Sequence, residues 1–228
     1  VKSFAVNLTA ASVNGLSRAN GFVLGQEYSL SQIEKKFPEL KMEVSLARAQ
    51  FNATFPGIQI KLEALLKKAM GEKHFKEYVL SLRQNLKKNL GQQVVTRDIA
   101  IDFIAQVNAR SKGVIDTPVL EYLLAVKYSD NPVGEHLDGF RQRYQTDGTG
   151  KSQGIKVNLQ LPRSWIGMDG EHPHIVKKWK SENGTGLELI QLYIRNAEGY
   201  NPTKNEMEEF VRSNDLKQSI PDGATYIA

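Results

Sequence analysis

The chain has 228 residues, of which 40% are apolar and 24% charged, and its formal net charge is +5. This is the composition of an ordinary globular protein, and no stretch approaches the roughly 20 apolar residues that a membrane-spanning helix needs. The sequence contains no cysteine, which excludes disulfides, thiolate metal sites and cysteine nucleophiles.

The first two thirds of the chain have the apolar spacing of helices. From about Ser31 to Tyr144 apolar residues recur at intervals of three and four, which is typical of amphipathic helices in a bundle. Ser31 and Glu34 form a capping-box pattern, and "FPG" at 55–57 ends a helix that starts near Glu39. The further predicted helices are a stripe from Ile58 to Ala69, a stripe from Phe75 to Leu86, one helix capped by Thr96, one capped by Thr117, and a last helix over 133–144.

The pattern changes after the run "QTDGTGKSQG" at 145–154, whose small and polar residues predict an exposed loop or linker. In "IKVNLQLPRSW" apolar and polar residues alternate from Ile155 to Leu161, which predicts a half-buried strand. "HIVKKWKS" and "LELIQLYI", separated by the turn "ENGTG", predict two further strands. Thr203 and Glu206 then have the spacing of a capping box that starts a helix.

Together these elements predict an α+β fold, in which an N-terminal helical bundle precedes an antiparallel β-meander with a covering helix. We place a helical domain at 1–147 and a small α+β domain at 153–228. Three strands and one helix make a small core. The second domain is therefore either incomplete, with the native chain continuing beyond Ala228, or reliant on the helical part.

A family resemblance rests on the stretch from Gly154 to Ile194, "GIKVNLQLPRSWIGMDGEHPHIVKKWKSENGTGLELIQLYI". It resembles the opening of a PsbP/Mog1-like domain, with a strand, a Pro-x-x-Trp element (Pro162 to Trp165) and a meander. The segments "GFVLGQEYSLSQIEKKFPEL" and "KGVIDTPVLEYLL" are similar to uncharacterised exported bacterial proteins that join a helical domain to such a part. The resemblance implies a binding or accessory module without catalytic residues. The family has further strands after its long helix; this sequence closes on "SIPDGATYIA", so either those strands are missing from it or the resemblance covers only part of the domain.

His172 and His174 are the candidate metal ligands. On a strand they would lie on one face, roughly 7 Å apart, where they could share one ion. Asp169 and Glu171 could add oxygen ligands. The alternative is a turn leading into a strand, because Pro173 between the histidines marks a strand entrance or edge. We favour the turn.

Other motifs do not indicate catalysis. "GTGKS" at 148–152 has Gln145 where a phosphate-binding P-loop needs its first glycine, and it follows a predicted helix instead of a strand. We expect a solvated linker there and no nucleotide or other cofactor. The pattern G-x-S-x-G occurs at 150–154, as "GKSQG", but this segment follows a predicted helix and precedes a predicted strand, which is the wrong order for a nucleophile elbow.

The segment 61–97 is the most basic, with nine Lys and Arg against three Glu. The surface that it predicts includes Lys67, Lys68, Lys87 and Lys88. Opposite apolar stripes such lysines form the solvated face of a bundle, and the alternative is a strip for nucleic acid, anionic membrane or an acidic partner. Trp165 and Trp179 would either pack between domains or mark a binding surface.

We therefore predict a non-enzymatic binding or accessory protein with a protein or small-molecule ligand. The start "VKSFAVNLTAAS" is what a removed export signal would leave, so we expect a periplasmic or secreted location. Two alternatives stay open: a metal-dependent or hydrolytic enzyme with its site near His172 and His174, and a basic module for nucleic acid or anionic membrane. The ligand and the oligomeric state are not encoded in any motif.

Overall fold

The computed structural model describes residues 9–91, 95–195 and 203–212. Its helices are α1 Ala10–Lys36, α2 Lys41–Thr54, α3 Ile58–Met70, α4 Glu72–Leu90, α5 Arg97–Ser111, α6 Val119–Lys127, α7 Gly134–Leu137 and α8 Lys204–Arg212. Its strands are β1 Arg141–Gln145, β2 Asn158–Pro162, β3 Ile166–Asp169, β4 Ile175–Lys180 and β5 Leu189–Tyr193. The predicted α+β class is confirmed. Each helix within these ranges is too short or too polar to cross a membrane.

The helical part has one core, built from the apolar faces of α1, α2, α3, α5 and α6. The large side chains that are completely buried in it include Leu30, Phe55, Leu62, Leu66, Leu120, Leu123 and Leu124. The helix α4 contributes no fully buried residue and packs through half-buried Phe75 and Tyr78. The Tyr78 hydroxyl donates to the Ser17 carbonyl oxygen at 3.0 Å, which fixes α4 against α1.

The first helix is longer than the sequence pattern predicts. It starts after Thr9, whose hydroxyl oxygen accepts from the Ser12 N–H at 3.1 Å. The prediction that Ser31 caps a helix is wrong, because Ser31 lies inside α1 and its hydroxyl donates to the Glu27 carboxylate. Glycines at three positions between 10 and 36 weaken the local helix signal, and burial of the α1 face against the other helices overrides it.

The strands form two antiparallel sheets. The pair β1–β2 sets Tyr144 opposite Leu159, and the order β3–β4–β5 is a meander in which Trp179 lies opposite Gly167 and Ile190. A Cβ at Gly167 would lie 2.9 Å from the Trp179 indole nitrogen, so glycine leaves the room that this ring occupies. The strands predicted in "HIVKKWKS" and "LELIQLYI" are confirmed as β4 and β5.

The strand predicted over 155–161 is correct only in part. It starts at Asn158, leaves Ile155 about half exposed, and pairs with β1 instead of joining the meander. The helix predicted over 133–144 is also wrong: α7 ends at Leu137, Gly139 has a φ of +87°, and β1 follows. Because the residues of β1 are mostly polar, they give no strand signal of their own.

The segment 145–154 connects β1 to β2 within one hairpin. Thr146 is buried; its hydroxyl donates to the Ile155 carbonyl oxygen at 2.8 Å and accepts from the Val157 N–H at 2.7 Å. Ser152 is buried too, and the Lys151 ammonium donates to the Gly170 carbonyl oxygen. The segment is therefore an exposed loop only in part.

A buried carboxylate ties the helical part to the segment after β2. Glu135 on α7 is 1% exposed and accepts from the Ser164 N–H at 2.6 Å and from the Ser164 hydroxyl at 2.5 Å. The Gln142 side-chain amide donates to the carbonyl oxygens of Pro162 and Trp165 at 2.9 and 2.7 Å. These bonds hold the Pro-x-x-Trp element in place.

Residues up to Tyr193 belong to one compact unit, and those from Ile194 belong to a second. In the second unit the predicted capping box of α8 is confirmed: Thr203 accepts from the Glu206 N–H at 3.3 Å, and Glu206 accepts from the Thr203 N–H at 2.7 Å. The domain limits 1–147 and 153–228 and the covering role of α8 stay predictions.

Candidate functional site

A cleft of about 250 Å³ opens between α1, α3, α6 and the turn 182–185, all within the first compact unit. We call it the helical cleft. Its walls are apolar and its rim is polar. The wall residues are Leu16, Leu65, Ala125 and Val126, with Ala64 and Tyr122 beside them, and the rim includes Lys61, Asp130, Glu182, Asn183 and Thr185.

Helical spacing explains why these side chains converge. Lys61 and Leu65 are four residues apart on α3, and Tyr122 and Val126 are four apart on α6, so each pair lies on one helix face. Ala125 is small beside them and leaves space between the helices. The cleft is thus a gap where three helices approach each other without filling the space between them.

Gly15 on α1 allows Tyr122 to form one side of the helical cleft. A Cβ at Gly15 would lie 1.9 Å from the Tyr122 ring, so any other residue would displace that ring. The Tyr122 hydroxyl donates to the Ala11 carbonyl oxygen at 3.4 Å. Glycine inside a helix costs about 1 kcal/mol relative to alanine. Here the absence of a side chain at Gly15 lets the Tyr122 ring pack directly against α1.

The turn after β4 presents the Glu182 carboxylate at the rim. Glu182 and Asn183 have φ values of 49° and 55°, in the left-handed region. Asparagine tolerates this region, whereas for glutamate it costs roughly 1–2 kcal/mol. The turn is fixed by buried Ser181, whose carbonyl oxygen accepts from the N–H groups of Gly184 and Gly186 at 2.9 and 3.0 Å. Strain of this kind persists only where the surrounding structure holds it, and it is concentrated at functional sites.

The rim carries an excess of negative charge. The Lys61 ammonium lies 3.7 Å from an Asp130 carboxylate oxygen, so these two charges compensate each other. Burial raises the pKa of Glu182, and the negative charges of Glu188 and Asp130 raise it further. In the ranges that the structure describes, the Glu182 carboxylate has no hydrogen-bond or ion-pair partner.

The two serines of the cleft are bonded to the helices that carry them. The Ser12 hydroxyl pairs with the Thr9 hydroxyl at 2.9 Å, at the start of α1. The Ser129 hydroxyl donates to the Val126 carbonyl oxygen at 3.1 Å. Among the described residues, neither hydroxyl is bonded to a side chain that could act as a general base.

His172 and His174 lie on the segment that enters β4. Their rings stack with centroids 5.5 Å apart, and the His174 ring also contacts Tyr193 at 4.6 Å. The carboxylates that could complete a metal site are paired instead: Asp169 with Lys177 at 2.8 Å, and Glu171 with Lys178. No group of three metal-ligand side chains occurs within 9–91, 95–195 and 203–212. The chain turns here, where the Ile175 N–H donates to the His172 carbonyl oxygen at 3.1 Å, and a metal at the two histidines stays the alternative to this turn.

The four lysines predicted as a basic surface are exposed on two neighbouring helices. Lys67 and Lys68 lie on α3, and Lys87 and Lys88 lie in the last turn of α4. Lys67 is 3.4 Å from the Glu72 carboxylate, which also binds Lys76 at 3.4 Å. Part of this basic surface is thus neutralised locally.

Trp165 and Trp179 are not surface residues. They are 3% and 2% exposed and pack with Leu161 between the two sheets, and Tyr144 meets the Trp179 ring edge-on at a centroid distance of 4.8 Å. Both rings pack in the small core of the sheet region, and a binding role for them stays a prediction.

The sequence did not predict the helical cleft. Its residues come from four separate segments, and Glu182 lies in "ENGTG", which predicts a turn and nothing about charge or strain. No protein-family model, no curated protein and no solved structure matches this chain, so the assignment of the site rests on its geometry alone.

Proposed function

We propose that this protein works by binding, with a small ligand held in the helical cleft. The observation that carries the proposal is the combination of apolar walls with a few polar groups at the rim. Small-molecule sites in proteins have this composition: apolar surface supplies affinity, and a few polar groups fix orientation. The strained turn that places Glu182 at the rim also supports it.

The wider proposal is an accessory protein that acts outside the cytoplasm. The stretch that resembles a PsbP/Mog1-like domain supports it, since such domains are mostly accessory modules. The meander β3–β4–β5 and the element from Pro162 to Trp165 are the parts of this chain that correspond to the resemblance. Fractionation of cells that express the native gene with a C-terminal tag tests the location.

The test of the binding proposal is a ligand screen with a variant that blocks the helical cleft. Ala64 is exposed and lines the cleft, so Ala64→Phe fills its entrance without disturbing the core. Ala69 is exposed on the same helix away from the cleft, which makes Ala69→Phe the matched control. The screen covers cationic, neutral and anionic compounds with one aromatic ring, and thermal unfolding is the readout.

We expect at least one class to raise the unfolding temperature of the wild type and of Ala69→Phe, and not that of Ala64→Phe. Ligands stabilise a protein in proportion to the logarithm of their concentration over Kd, so the effect must grow with dose. If no compound stabilises the wild type, or if Ala64→Phe responds equally, the proposal is wrong.

A further inference from the structure

We infer that the occupant of the helical cleft is a small amphipathic amine, with one apolar ring or short chain and a protonated amino group that faces Glu182. This inference rests on the proposed function and adds the chemical class of the ligand. It follows from the charge of the rim, the size of the cleft and the position of its apolar walls.

The charge of the rim selects a cation. Of the three charged side chains that line the cleft, Lys61 and Asp130 are paired at 3.7 Å, and among the described residues the Glu182 carboxylate has no ion-pair partner. Glu188 adds a second negative charge behind it, and its carboxylate accepts from the Ser181 hydroxyl at 2.6 Å. An ammonium group would replace the water that a half-buried carboxylate loses and would form a charge-assisted hydrogen bond with it. An anion would meet repulsion from both glutamates.

The size of the cleft selects a small ligand. Its volume is about 250 Å³. A cavity of roughly 150 Å³ holds a benzene ring, and pockets for drug-sized ligands start at roughly 300 Å³. One ring with a chain of two or three atoms therefore fits. The walls formed by Leu16, Leu65 and Val126 take the ring, and the chain reaches the rim where Glu182 lies.

Three compounds of nearly equal shape test the inference on the full chain. They are 2-phenylethylammonium, 2-phenylethanol and 3-phenylpropionate, and isothermal titration calorimetry gives the affinity of each. We expect the ammonium compound to bind about tenfold more tightly than the alcohol, since a hydrogen bond to a charged group is worth about that factor. The carboxylate should bind more weakly than the alcohol.

Variants locate the effect. Glu182→Gln should lower the affinity for 2-phenylethylammonium about tenfold and leave that for the alcohol unchanged. Glu63→Gln removes one negative charge from α3 outside the cleft and should change neither affinity. Ala64→Phe should abolish binding of both compounds. If Glu182→Gln does not fold, the order of the three affinities on the wild type still decides the inference.

The outcomes separate the two proposals. If the alcohol or the carboxylate binds as tightly as the ammonium compound, and Ala64→Phe abolishes that binding, the amine inference is wrong and the binding role of the helical cleft stands. Binding of the ammonium compound that Ala64→Phe or Glu182→Gln leaves unchanged also overturns the inference. If none of the three compounds binds, both the inference and the assignment of the cleft are contradicted.

Discussion

Glu135→Ala should destabilise the protein by about 2–3 kcal/mol, because this carboxylate is buried and holds the Pro-x-x-Trp element. The wild-type side chain accepts two hydrogen bonds from Ser164, at 2.6 and 2.5 Å. Hydrogen bonds to a charged acceptor contribute roughly 1.5–3 kcal/mol each. Glu135→Ala also removes the free-energy cost of burying a charge, so the net loss of stability is smaller than the sum of the two bonds. The alanine variant also leaves the buried Ser164 N–H without its acceptor.

Urea unfolding followed by tryptophan fluorescence measures this loss, since Trp165 is the next residue after Ser164. In thermal unfolding the same loss corresponds to a fall of about 5–10 °C for a chain of this size. Glu121→Gln is the control: burial raises the pKa of this carboxyl too, but it makes no hydrogen bond within the described ranges. A change within about 0.5 kcal/mol is expected for it. Equal stability of Glu135→Ala and the wild type would show that this carboxylate does not hold the Pro-x-x-Trp element in place.

The same carboxyl should make stability depend on pH. Burial raises the pKa of Glu135 above the ordinary value of 4.5, although the bonds from Ser164 oppose this. The folded chain therefore binds the Glu135 proton more tightly than the unfolded chain does. The stabilisation that comes from this proton is complete below about pH 4.5 and is lost as pH rises through the folded pKa. As pH rises from about 4.5 through the folded pKa of Glu135, the free energy of unfolding of the wild type should fall towards that of Glu135→Gln. A difference between the two proteins that stays constant with pH would contradict this prediction.

Four further predictions concern single side chains outside α7. Trp179→Ala should cost about 3 kcal/mol or more in urea unfolding, because the ring fills the core of the sheet region, and a near-neutral result would contradict that packing. Thr146→Val keeps the shape but removes two hydrogen bonds of the β1–β2 loop, and it should cost about 1–2 kcal/mol and speed proteolysis within 147–154. Glu182→Gly should leave the free energy of unfolding unchanged or raise it by up to about 1 kcal/mol, since glycine relieves the left-handed strain, and it should abolish amine binding. Clear destabilisation would contradict the strain at this position. Protein purified without added metal should hold no zinc that depends on His174, and one equivalent of zinc that is lost in His174→Ala would overturn this.

The helices with strong local signals were predictable. The apolar stripes of α3 and α4 stop at Gly71 and Gly91, as the sequence indicates, and Thr96 caps α5 through the Ile99 N–H at 3.3 Å. Amphipathic spacing and end signals act within one or two turns, so a single sequence contains them.

The elements that depend on distant contacts were not predictable. Strand β1 has a polar sequence and exists because it pairs with β2, and the bond between Glu135 and Ser164 joins residues 29 positions apart. The helical cleft needs α1, α3, α6 and the turn 182–185 to meet, and no residue type in these segments indicates that meeting. The left-handed φ of Glu182 is likewise imposed by the surrounding turn, since glutamate has no preference for it.

Amide chemical shifts in an NMR titration with 2-phenylethylammonium show directly whether the helical cleft binds an amphipathic amine. We predict saturable shifts for Leu65, Val126, Glu182 and Thr185, which surround the cleft, and none of comparable size near His172 or in the last turn of α4. In Ala64→Phe the shifts around the cleft should disappear. Shifts concentrated at His172 or along α4, or no saturable shift at all, would contradict the claim.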